Sequence, residues 1–473
     1  MSNDSPEALN TPIVEEGLKR IPFFNGRVLT AEDLQTEQMA NATERKRLGR
    51  ALGTGVLDGL FVHKGSGDPP TTVTVESGLA LAPSGHVVQL PEETDLSVVS
   101  SIEREETAGT KGKFADCARQ TATVTTGSGA YLLVVRPAAK TQGRVPQTRL
   151  GGDGAAGACG AKHRVEGATL SLVRLDTDDK NLIPPPIQDK VRSLRGDIED
   201  VLGDPSKTLA PSNVSRLRNL LAHACLRTPQ ALRETADLYT AFRDAAQGKA
   251  GPNSDNPAGP TDVQAYSEIG PCAVPIGLLY WVQDRILFVD NWSVRRRVHR
   301  LDPQSPAPAT DRRQVEGEAT FYQFQAHLAD LPDREPAGDL LDVELDTYFH
   351  YLPPACLVPL VNSAGRPGIA PETFLGNYPA REPVYVEGHR VPLLLSQAAL
   401  TPPVDLNNRT ALRVYKVRES DAARGNPETL PGPPLATVRP FLLLASGYLP
   451  RIGDPRYDLS HWNYANFLYP ADR

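Results

Sequence analysis

Proline recurs along the chain and limits how long its regular elements can be. The sequence has 43 prolines in 473 residues, about 9% against a usual ~5%. Proline fixes φ and lacks an amide donor, so it interrupts helix interiors and is confined to turns and strand edges in sheets. This density predicts loops, short elements and strands in preference to long helices.

The charge and hydropathy of the chain exclude some classes of partner. Lys and Arg number 50 against 57 Asp and Glu, a net charge of −7, so no overall basic field exists to hold nucleic acid or an anionic membrane. The longest nearly apolar run, Cys272 to Val282, is far shorter than the roughly 20 residues that span a bilayer. We therefore expect no nucleic-acid partner and no membrane span.

Cysteine usage and the first residues predict a cytoplasmic protein. The start, MSNDSPEALN, has neither the charged region nor the apolar core of a secretion signal. The cysteines are scattered and odd in number, so we expect no disulfide framework and a reducing cytoplasm. They are Cys117, Cys159, Cys225, Cys272 and Cys356.

The segment RIPFFNGRVLTAEDLQTEQ, residues 20–38, predicts a helix that starts at a well-defined residue. Thr30 suits the N-cap, and Asp33 at N3 gives a short-armed capping box. Leu29 and Leu34 occupy the N′ and N4 positions of a hydrophobic staple.

Gly53 and Gly55 are expected to end this helix. Its apolar face is thin, so the helix needs a neighbour, either the β domain of this chain or another subunit. That face consists of Leu34, Met39, Leu48 and Leu52.

Strands are predicted on both sides of a helical insertion. Before it they are GLFV, TTVTVESG, LALAPSGHVVQLP, AYLLVVRP and ATLSLVRL. The segment TRLGGDGAAGACGAKHR (148–164) is interpreted as a glycine-rich loop between the last two. After the insertion, AVPIGLLYWVQDRILFVDN predicts a hairpin with its turn near QD, and DPQSPAPATDRRQ (302–314) is interpreted as a loop. Later strands are expected in EPVYVEGHRV, ALRVYKVR and TVRPFLLLAS.

The insertion itself predicts three helices from apolar spacing of three and four. The first stripe is Ile187, Val191, Leu194, Ile198 and Val201, and the second is Val214, Leu217, Leu220, Leu221 and Ala224. The third is Leu232, Ala236, Tyr239 and Phe242, with Thr228 as its N-cap.

These elements predict an α+β fold, mainly β, with an N-terminal helix, β-sandwich-like domains and a three-helix insertion. The expected domains are an N-terminal arm and capped helix (1–52), a β domain with the glycine-rich loop (53–182), the insertion (183–250), a hairpin returning to the β domain (262–300) and a C-terminal β-rich domain with an aromatic tail (317–473).

Two sets of residues have the chemistry of a metal site. Cys159 with His163 and His223 with Cys225 could together supply four zinc ligands, although neither pair has the common C-x₂₋₄-C spacing. Asp342, Glu344 and Asp346 in DVELDTYFH would share one side of a strand and could serve acid–base chemistry or a hard cation. A buried cysteine in a helix and a solvated strand face are the favoured interpretations, so no metal and no cofactor are expected.

Two further segments have non-catalytic interpretations. GDGAAGACGAKH lacks the Ser or Thr after lysine and the strand-to-helix context of a phosphate-binding loop, so a plain loop is favoured. Arg295, Arg296, Arg297, His299 and Arg300 in NWSVRRRVHR are interpreted as an interprotein salt-bridge patch or a solvated face. Since no catalytic motif occurs in its proper context, we expect that the chain is not an enzyme.

The N-terminal segment resembles a signature of proteins encoded with contractile injection systems, the phage-tail-like particles. The general form there is F-x-G-x-L-L-T-A-x-D-[FL]-x-x-E-Q, followed by an Arg-rich helix and G-x-G-V-x-x-G-L-x-V. This chain has FFNGRVLTAEDLQTEQ, then RKRLGRALGTGVLDGLFV, then TVTVESGLALAPSGHVVQLP. Later segments that resemble the family more weakly are AYLLVVRP, VPIGLLYW, NWSVRRRVHR and YFHYLPPACLVPL, where LPPAC replaces L-P-P-A-G.

The resemblance implies a structural subunit at the baseplate, or a fibre or peripheral extension attached to it. Its partners would be baseplate, sheath or tube proteins, and threefold or sixfold particle symmetry implies a trimer or a hexameric ring. A receptor- or carbohydrate-binding fibre subunit is one alternative, which exposed Trp281, Trp292 or Trp462 would support. A metal-assisted hydrolase is a second.

The resemblance also implies a candidate assembly motif. It comprises Phe23, Phe24, Gly26, Leu29, Thr30, Asp33, Leu34, Glu37 and Gln38. We expect Phe23 and Phe24 to anchor the corner before the helix in a core, and a contact with another subunit remains the alternative.

Overall fold

The computed structural model describes residues 17–67, 69–98, 127–146, 159–178, 185–226, 272–299, 306–334, 343–349, 351–359, 369–399, 403–406, 412–417 and 441–446. The chain divides into two compact units. The first comprises Met1–Ser193 and Ala224–Ala309, and the second comprises Leu194–His223 and Thr310–Arg473.

Helices and strands alternate in short runs along the described chain. The helices are α1 (Ala31–Leu52), α2 (Pro185–Leu202), α3 (Pro211–Leu226), α4 (Pro306–Arg334), α5 (Leu345–Tyr348), α6 (Pro371–Leu375) and α7 (Val391–Ala398), with a 3₁₀ turn at Gly388–Arg390. The strands are β1 (Gly55–Gly59), β2 (Val62–Lys64), β3 (Thr72–Val75), β4 (Gly78–Leu81), β5 (Val87–Leu90), β6 (Thr94–Ser97), β7 (Gly129–Pro146), β8 (Cys159–Arg174), β9 (Val274–Val282), β10 (Arg285–Asp290), β11 (Tyr351–Leu352), β12 (Ala355–Pro359), β13 (Val384–Val386), β14 (Val404–Asp405), β15 (Leu412–Val417) and β16 (Phe441–Ser446).

The described strands of the first unit form three antiparallel sheets, which confirms the sandwich-like prediction. Their strand orders are β1-β4-β5, β2-β3-β6 and β10-β9-β7-β8. One buried apolar cluster joins side chains from all three sheets, so the two small sheets pack on one face of the large one. Among its members are Val56, Val75, Leu133 and Ile276.

The hairpin of β9 and β10 forms as the sequence predicts. Val282 pairs with Arg285 across the turn. Gln283 and Asp284 take φ of 43° and 58°, which is the left-handed region that tight hairpin turns need.

Strands β7 and β8 extend well beyond the sheet that contains them. Their first paired residues are Tyr131 and Arg174, and their last are Pro146 and Cys159. Strand β9 pairs with β7 only as far as Val135. The outer part, residues 138–146 and 159–167, is a two-stranded ribbon that we name the β arm. The predicted loop at 148–164 is therefore wrong from Cys159 onward, where β8 has already begun.

The second unit has its own core. Its four-stranded sheet has the order β12-β16-β15-β13, and a smaller sheet pairs β11 with β14. All these pairs are antiparallel except β13 with β15. The buried cluster of this unit includes Phe324, Phe349, Cys356, Phe374 and Leu444.

Helix α4 corrects the predicted loop at 302–314. Pro306 and Pro308 lie at the start of a 29-residue helix, where a missing amide donor costs nothing because the first amides have no intrahelical acceptor. Phe321, Phe324, Leu328 and Leu331 are buried at helical spacing. The helix also shows that the predicted β-rich domain at 317–473 begins inside a long helix.

Two of the three predicted insertion helices lie in the described residues. In α2, Val191 and Ile198 are buried, and in α3 Val214, Leu217 and Leu220 are buried, as their stripes predict. The third helix and the aromatic tail lie outside the described residues. The α+β class, with antiparallel sheets predominating, is confirmed.

Candidate assembly surface

Residues 17–30, which we name the N-terminal strap, run back along helix α1. The guanidinium of Arg20 lies 3.7 Å from the Glu37 carboxylate, donates to Asn41 at 3.4 Å and also pairs with Glu44. The amide of Ile21 donates to Glu37 Oε2 at 3.3 Å. Glu37 of the candidate motif therefore holds the strap against the helix.

A turn at Gly26 lies within the strap, shortly before helix α1 begins. Gly26 has a φ of +92°, which a residue with a side chain adopts at a cost. The amide of Arg27 donates to Phe24 O at 3.2 Å, and its guanidinium donates to Pro22 O at 2.9 Å and to Asp33 Oδ1 at 3.0 Å. An added Cβ would meet nothing within 4 Å. Glycine is therefore needed here for its backbone conformation and not to avoid a close contact.

The capping box of α1 is confirmed. The Asp33 amide donates to Thr30 Oγ1 at 3.1 Å, and the Thr30 amide and hydroxyl donate to Asp33 Oδ2 at 3.0 and 2.8 Å. The Thr30 amide, followed by its hydroxyl and the Arg27 charge, lowers the pKa of Asp33 below its ordinary value. The helix ends at Leu52 with Gly53 as its C-cap, as predicted.

The C-terminal half of α1 lies directly on the turn between β4 and β5. A Cβ added to Gly49 would lie 2.3 Å from Gly85 O, and one added to Gly85 would lie 2.1 Å from Lys46 O. Arg50 Nε donates to Ser84 O at 3.1 Å. The two glycines therefore allow helix backbone and turn backbone to touch.

Large apolar side chains of the strap and α1 face solvent. Of the fifteen large apolar residues that are exposed in the described chain, eight lie between residues 23 and 52, so exposure is concentrated there. We name these eight the N-terminal apolar surface. They are Phe23, Phe24, Val28, Leu29, Leu34, Met39, Leu48 and Leu52.

The expectation that Phe23 and Phe24 anchor a core of this chain is wrong. Their exposed fractions are 61% and 65%. Among the described residues, the only aromatic or cation–π contact of either ring is that of the Arg27 guanidinium, which lies 5.9 Å from the Phe24 centroid. Leu29 and Leu34, the staple positions, are also exposed.

Three leucines of the N-terminal apolar surface share one side of α1. Leu34 and Leu52 are about five full turns apart and so lie on one line, and Leu48 lies within about 40° of it. Gln38 and Arg45 fall between them on the same side and are exposed. The stripe is therefore apolar at its ends and polar at its centre.

The structure does not bring together the predicted zinc ligands. Cys159 and His163 lie in β8 and His223 and Cys225 in α3, and no group of three or more His, Cys, Asp or Glu in the described part of the chain is placed to hold a metal ion. The Cys225 thiol is in its reduced form. Cys272 is disulfide-bonded, which the prediction of a reducing cytoplasm and no disulfide framework does not anticipate.

The predicted carboxylate strand is a helical turn. Glu344 is the N-cap of α5, and Asp346 lies in its first turn, so the alternation of a strand face does not occur. Asp342 lies outside the described residues.

Arg295 of the predicted basic patch is an internal residue. It is only 9% exposed, and its Nη2 and Nε donate to Gly59 O at 2.7 and 3.2 Å. Its guanidinium lies 4.0 Å from the Phe61 centroid and 5.6 Å from that of Trp292. Desolvation, followed by the nearby charge of Arg297, lowers the pKa of Arg295 to about 10.

The neighbours of Arg295 also take structural roles. Val56 N donates to Arg296 O at 2.7 Å, and Thr54 and His299 exchange backbone hydrogen bonds at 2.8 and 3.0 Å. The interpretation of this segment as a salt-bridge patch or solvated face is therefore wrong at Arg295. Arg300 lies outside the described residues.

The two described tryptophans both pack against other residues of the first unit. Trp281 is buried in the core of the first unit, and the half-buried Trp292 packs edge-on against Phe61 with centroids 5.5 Å apart. Trp462 lies outside the described residues. No helix in the described ranges is both long enough and apolar enough to cross a membrane.

Comparisons with known proteins give no family. No family model matches the chain, and no curated protein matches it. Among solved structures, one described as "Crystal structure of TssK" matches at 11% identity with a TM-score of 0.20. The match covers 52% of this chain and 65% of that chain, and at this TM-score it carries no argument about fold or function.

Proposed function

We propose that this chain is a structural subunit of a contractile injection system or related phage-tail-like particle. Its place is at the baseplate, or in a fibre or peripheral extension attached to it. Its partners are baseplate, sheath or tube proteins together with further copies of itself, in a trimer or hexameric ring. In this proposal the chain is assembled in the cytoplasm and catalyses no reaction.

One observation carries the proposal: the N-terminal apolar surface coincides with the segment that resembles the particle signature. Phe23, Phe24 and Leu34 belong to both sets, and all three are exposed. A concentration of exposed apolar residues in one segment of a folded chain is typical of contact sites for other proteins. Burying one such Phe or Leu side chain is favourable by roughly 1.5–3 kcal/mol, so a partner that covers this surface gains substantially.

The contacts divide the signature residues into two groups with separate tasks. Gly26, Thr30, Asp33 and Glu37 shape the turn, cap the helix and hold the strap. Phe23, Phe24, Leu29, Leu34 and Gln38 remain exposed. A signature that both builds a corner and displays apolar side chains on it is what an assembly motif requires, whereas a purely structural motif would bury its phenylalanines.

The alternatives receive no comparable support. A carbohydrate-binding fibre subunit would use exposed aromatic rings in a groove, but Trp281 is buried and Trp292 packs on Phe61. One cleft of about 620 Å³ in the second unit is lined by the exposed Tyr385 together with Arg381, Arg390, Arg413, Glu382 and Glu387. It is an open surface cleft. A metal-assisted hydrolase would need a cluster of metal ligands, and no group of three or more His, Cys, Asp or Glu is placed to hold a metal ion among the described residues.

The experiment compares two pairs of exposed residues in the full chain. One variant carries Phe23→Ser and Phe24→Ser in the N-terminal apolar surface. The control carries Val384→Ser and Tyr385→Ser. These two side chains are 58% and 64% exposed, close to the exposed fractions of Phe23 and Phe24. Each tagged chain is produced in the native host, and particles are sedimented from the lysate.

We expect the wild type and the control to sediment with sheath and tube proteins, and the Phe23/Phe24 variant to remain in the supernatant. All three should show the same melting temperature, since exposed substitutions change stability by about 0.5 kcal/mol or less. A wild-type chain that never sediments with particles contradicts the proposal, as does a Phe23/Phe24 variant that sediments as well as the control.

A further inference from the structure

The β arm projects as a two-stranded ribbon with solvent around its outer rungs. Each strand contributes nine residues, about 30 Å at a rise of ~3.4 Å per residue. Residues 140–145 and 161–167 are exposed throughout. An isolated two-stranded ribbon is marginally stable in water, so a contact along its length would stabilise it.

The arm is basic in an acidic chain. It contains Lys140, Arg144, Lys162 and Arg164 against the single carboxylate of Glu166, whereas the whole chain has a net charge of −7. Among the described residues, no carboxylate pairs with Lys140, Arg144 or Lys162.

A second surface of the same unit has the opposite charge. Strand β6 is at the end of the strand order β2-β3-β6, and Glu92, Glu93 and Asp95 lie on or immediately before it. All three are exposed, and Asp95 accepts a hydrogen bond from Thr74 Oγ1 at 2.5 Å. We name these three residues the acidic edge.

We propose that the β arm of one copy of this chain lies against the acidic edge of a second copy. The two surfaces are different patches of one subunit, so the contact is head-to-tail and closes into a ring when repeated around a rotation axis. This inference rests on the proposed function, because it supplies the contact between copies that a ring-forming particle subunit needs. Opposite charges set the register and steer the copies together.

Charge complementarity favours a second copy over nucleic acid. Sites for single-stranded nucleic acid usually combine many cations with aromatic rings on which the bases stack, whereas the arm has four cations and no Phe, Tyr or Trp. The remainder of the chain is acidic and repels a polyanion. A second copy of the chain supplies one negatively charged acidic edge for each positively charged β arm.

The test measures self-association of the full chain by sedimentation velocity at low and high salt. The arm variant carries Lys140→Glu, Arg144→Glu and Lys162→Glu, and the edge variant carries Glu92→Lys and Glu93→Lys. A combined variant carries all five changes. The control reverses the charge of three cations outside the arm: Lys190→Glu, Arg192→Glu and Lys207→Glu. It therefore has the same net charge as the arm variant.

We expect the wild type and the control to associate at low salt and to dissociate at high salt. The arm and edge variants should each associate about 100-fold more weakly, because each places like charges opposite one another, and the combined variant should recover to within about tenfold of the wild type. The edge variant leaves the arm sequence intact, so it decides the outcome if the arm variant misfolds.

Three results would overturn this inference. They are a wild type that is monomeric at low salt, an edge variant that associates like the wild type, and binding of duplex DNA that the arm variant loses in a chain that does not self-associate. If the isolated chain is monomeric but sediments with particles, the arm inference fails while the proposed role as a particle subunit stands.

Discussion

Replacing Gly49 with alanine should destabilise the protein although it improves a helix. In an exposed helix interior, Gly→Ala stabilises by about 1 kcal/mol. Here the new Cβ would lie 2.3 Å from Gly85 O and 2.9 Å from Gly85 Cα, and both partners are backbone, which cannot rotate away. Overpacking of this kind costs about 1–3 kcal/mol, and we take the upper end because helix and turn must separate as units. The net expectation is a loss of about 2 kcal/mol.

Helix α2 provides a matched control. Gly196 is exposed in its interior, and nothing lies within 4 Å of an added Cβ. Gly196→Ala should therefore show the propensity gain alone, a stabilisation of about 0.5–1 kcal/mol. The free energy of unfolding should therefore fall in Gly49→Ala and rise in Gly196→Ala.

Native-state hydrogen exchange of the amides in α1 and α2 measures both effects locally. We expect α1 amides to exchange about 30-fold faster in Gly49→Ala, which is the equivalent of about 2 kcal/mol, and α2 amides to exchange more slowly in Gly196→Ala. Slower exchange of α1 in Gly49→Ala would refute the backbone contact between helix and turn.

Three more outcomes follow from the described contacts. Arg295→Ala should lower the free energy of unfolding by about 3 kcal/mol in urea denaturation, because it removes a charged hydrogen-bond donor to Gly59 O and a stacked cation over Phe61; Arg295→Lys should lose less. Because the folded-state pKa of Asp33 lies below its ordinary value of 3.8, its support of the α1 N-terminus is present above about pH 4 and is lost as the pH falls through the lower folded-state value; amide exchange of α1 measured against pH should lose this dependence in Asp33→Asn. Gly317→Ala places a Cβ 2.3 Å from Ala399 O and should destabilise the second unit by about 2 kcal/mol by thermal unfolding.

Local signals predicted the local structure well. The capping box at Thr30 and Asp33, the end of α1 at Gly53 and the hairpin turn at Gln283 depend on a few adjacent residues. The sequence shows all of them because caps and tight turns require particular residue types at fixed offsets.

Two elements were missed for identifiable reasons. The outer rungs of the β arm lack apolar alternation because neither face is buried, and glycines such as Gly143 and Gly160 are typical of loops. The opening prolines of helix α4 are typical of a loop, although the spacing of Phe321, Phe324 and Leu328 indicates a helix. Proline is well tolerated at the start of a helix, so a high density of proline does not by itself predict a loop.

The candidate surface was only partly visible in the sequence. The apolar character of Phe23 and Phe24 is evident, but whether such rings are buried depends on the shape of the remainder of the chain. The contact of Gly49 with Gly85 joins positions far apart in sequence, and the structural role of Arg295 depends on Gly59 O and Phe61 from another segment. Pairings of this kind follow from tertiary packing and not from spacing.

Photo-crosslinking from position 24 in assembled particles tests the central claim most directly. A photoreactive phenylalanine analogue replaces Phe24 in one chain and Tyr385 in another, since both side chains are about two-thirds exposed. The account predicts that position 24 crosslinks to another subunit of the particle, with a yield well above that of position 385. Particles that contain the chain but show no intersubunit crosslink from position 24 would contradict it.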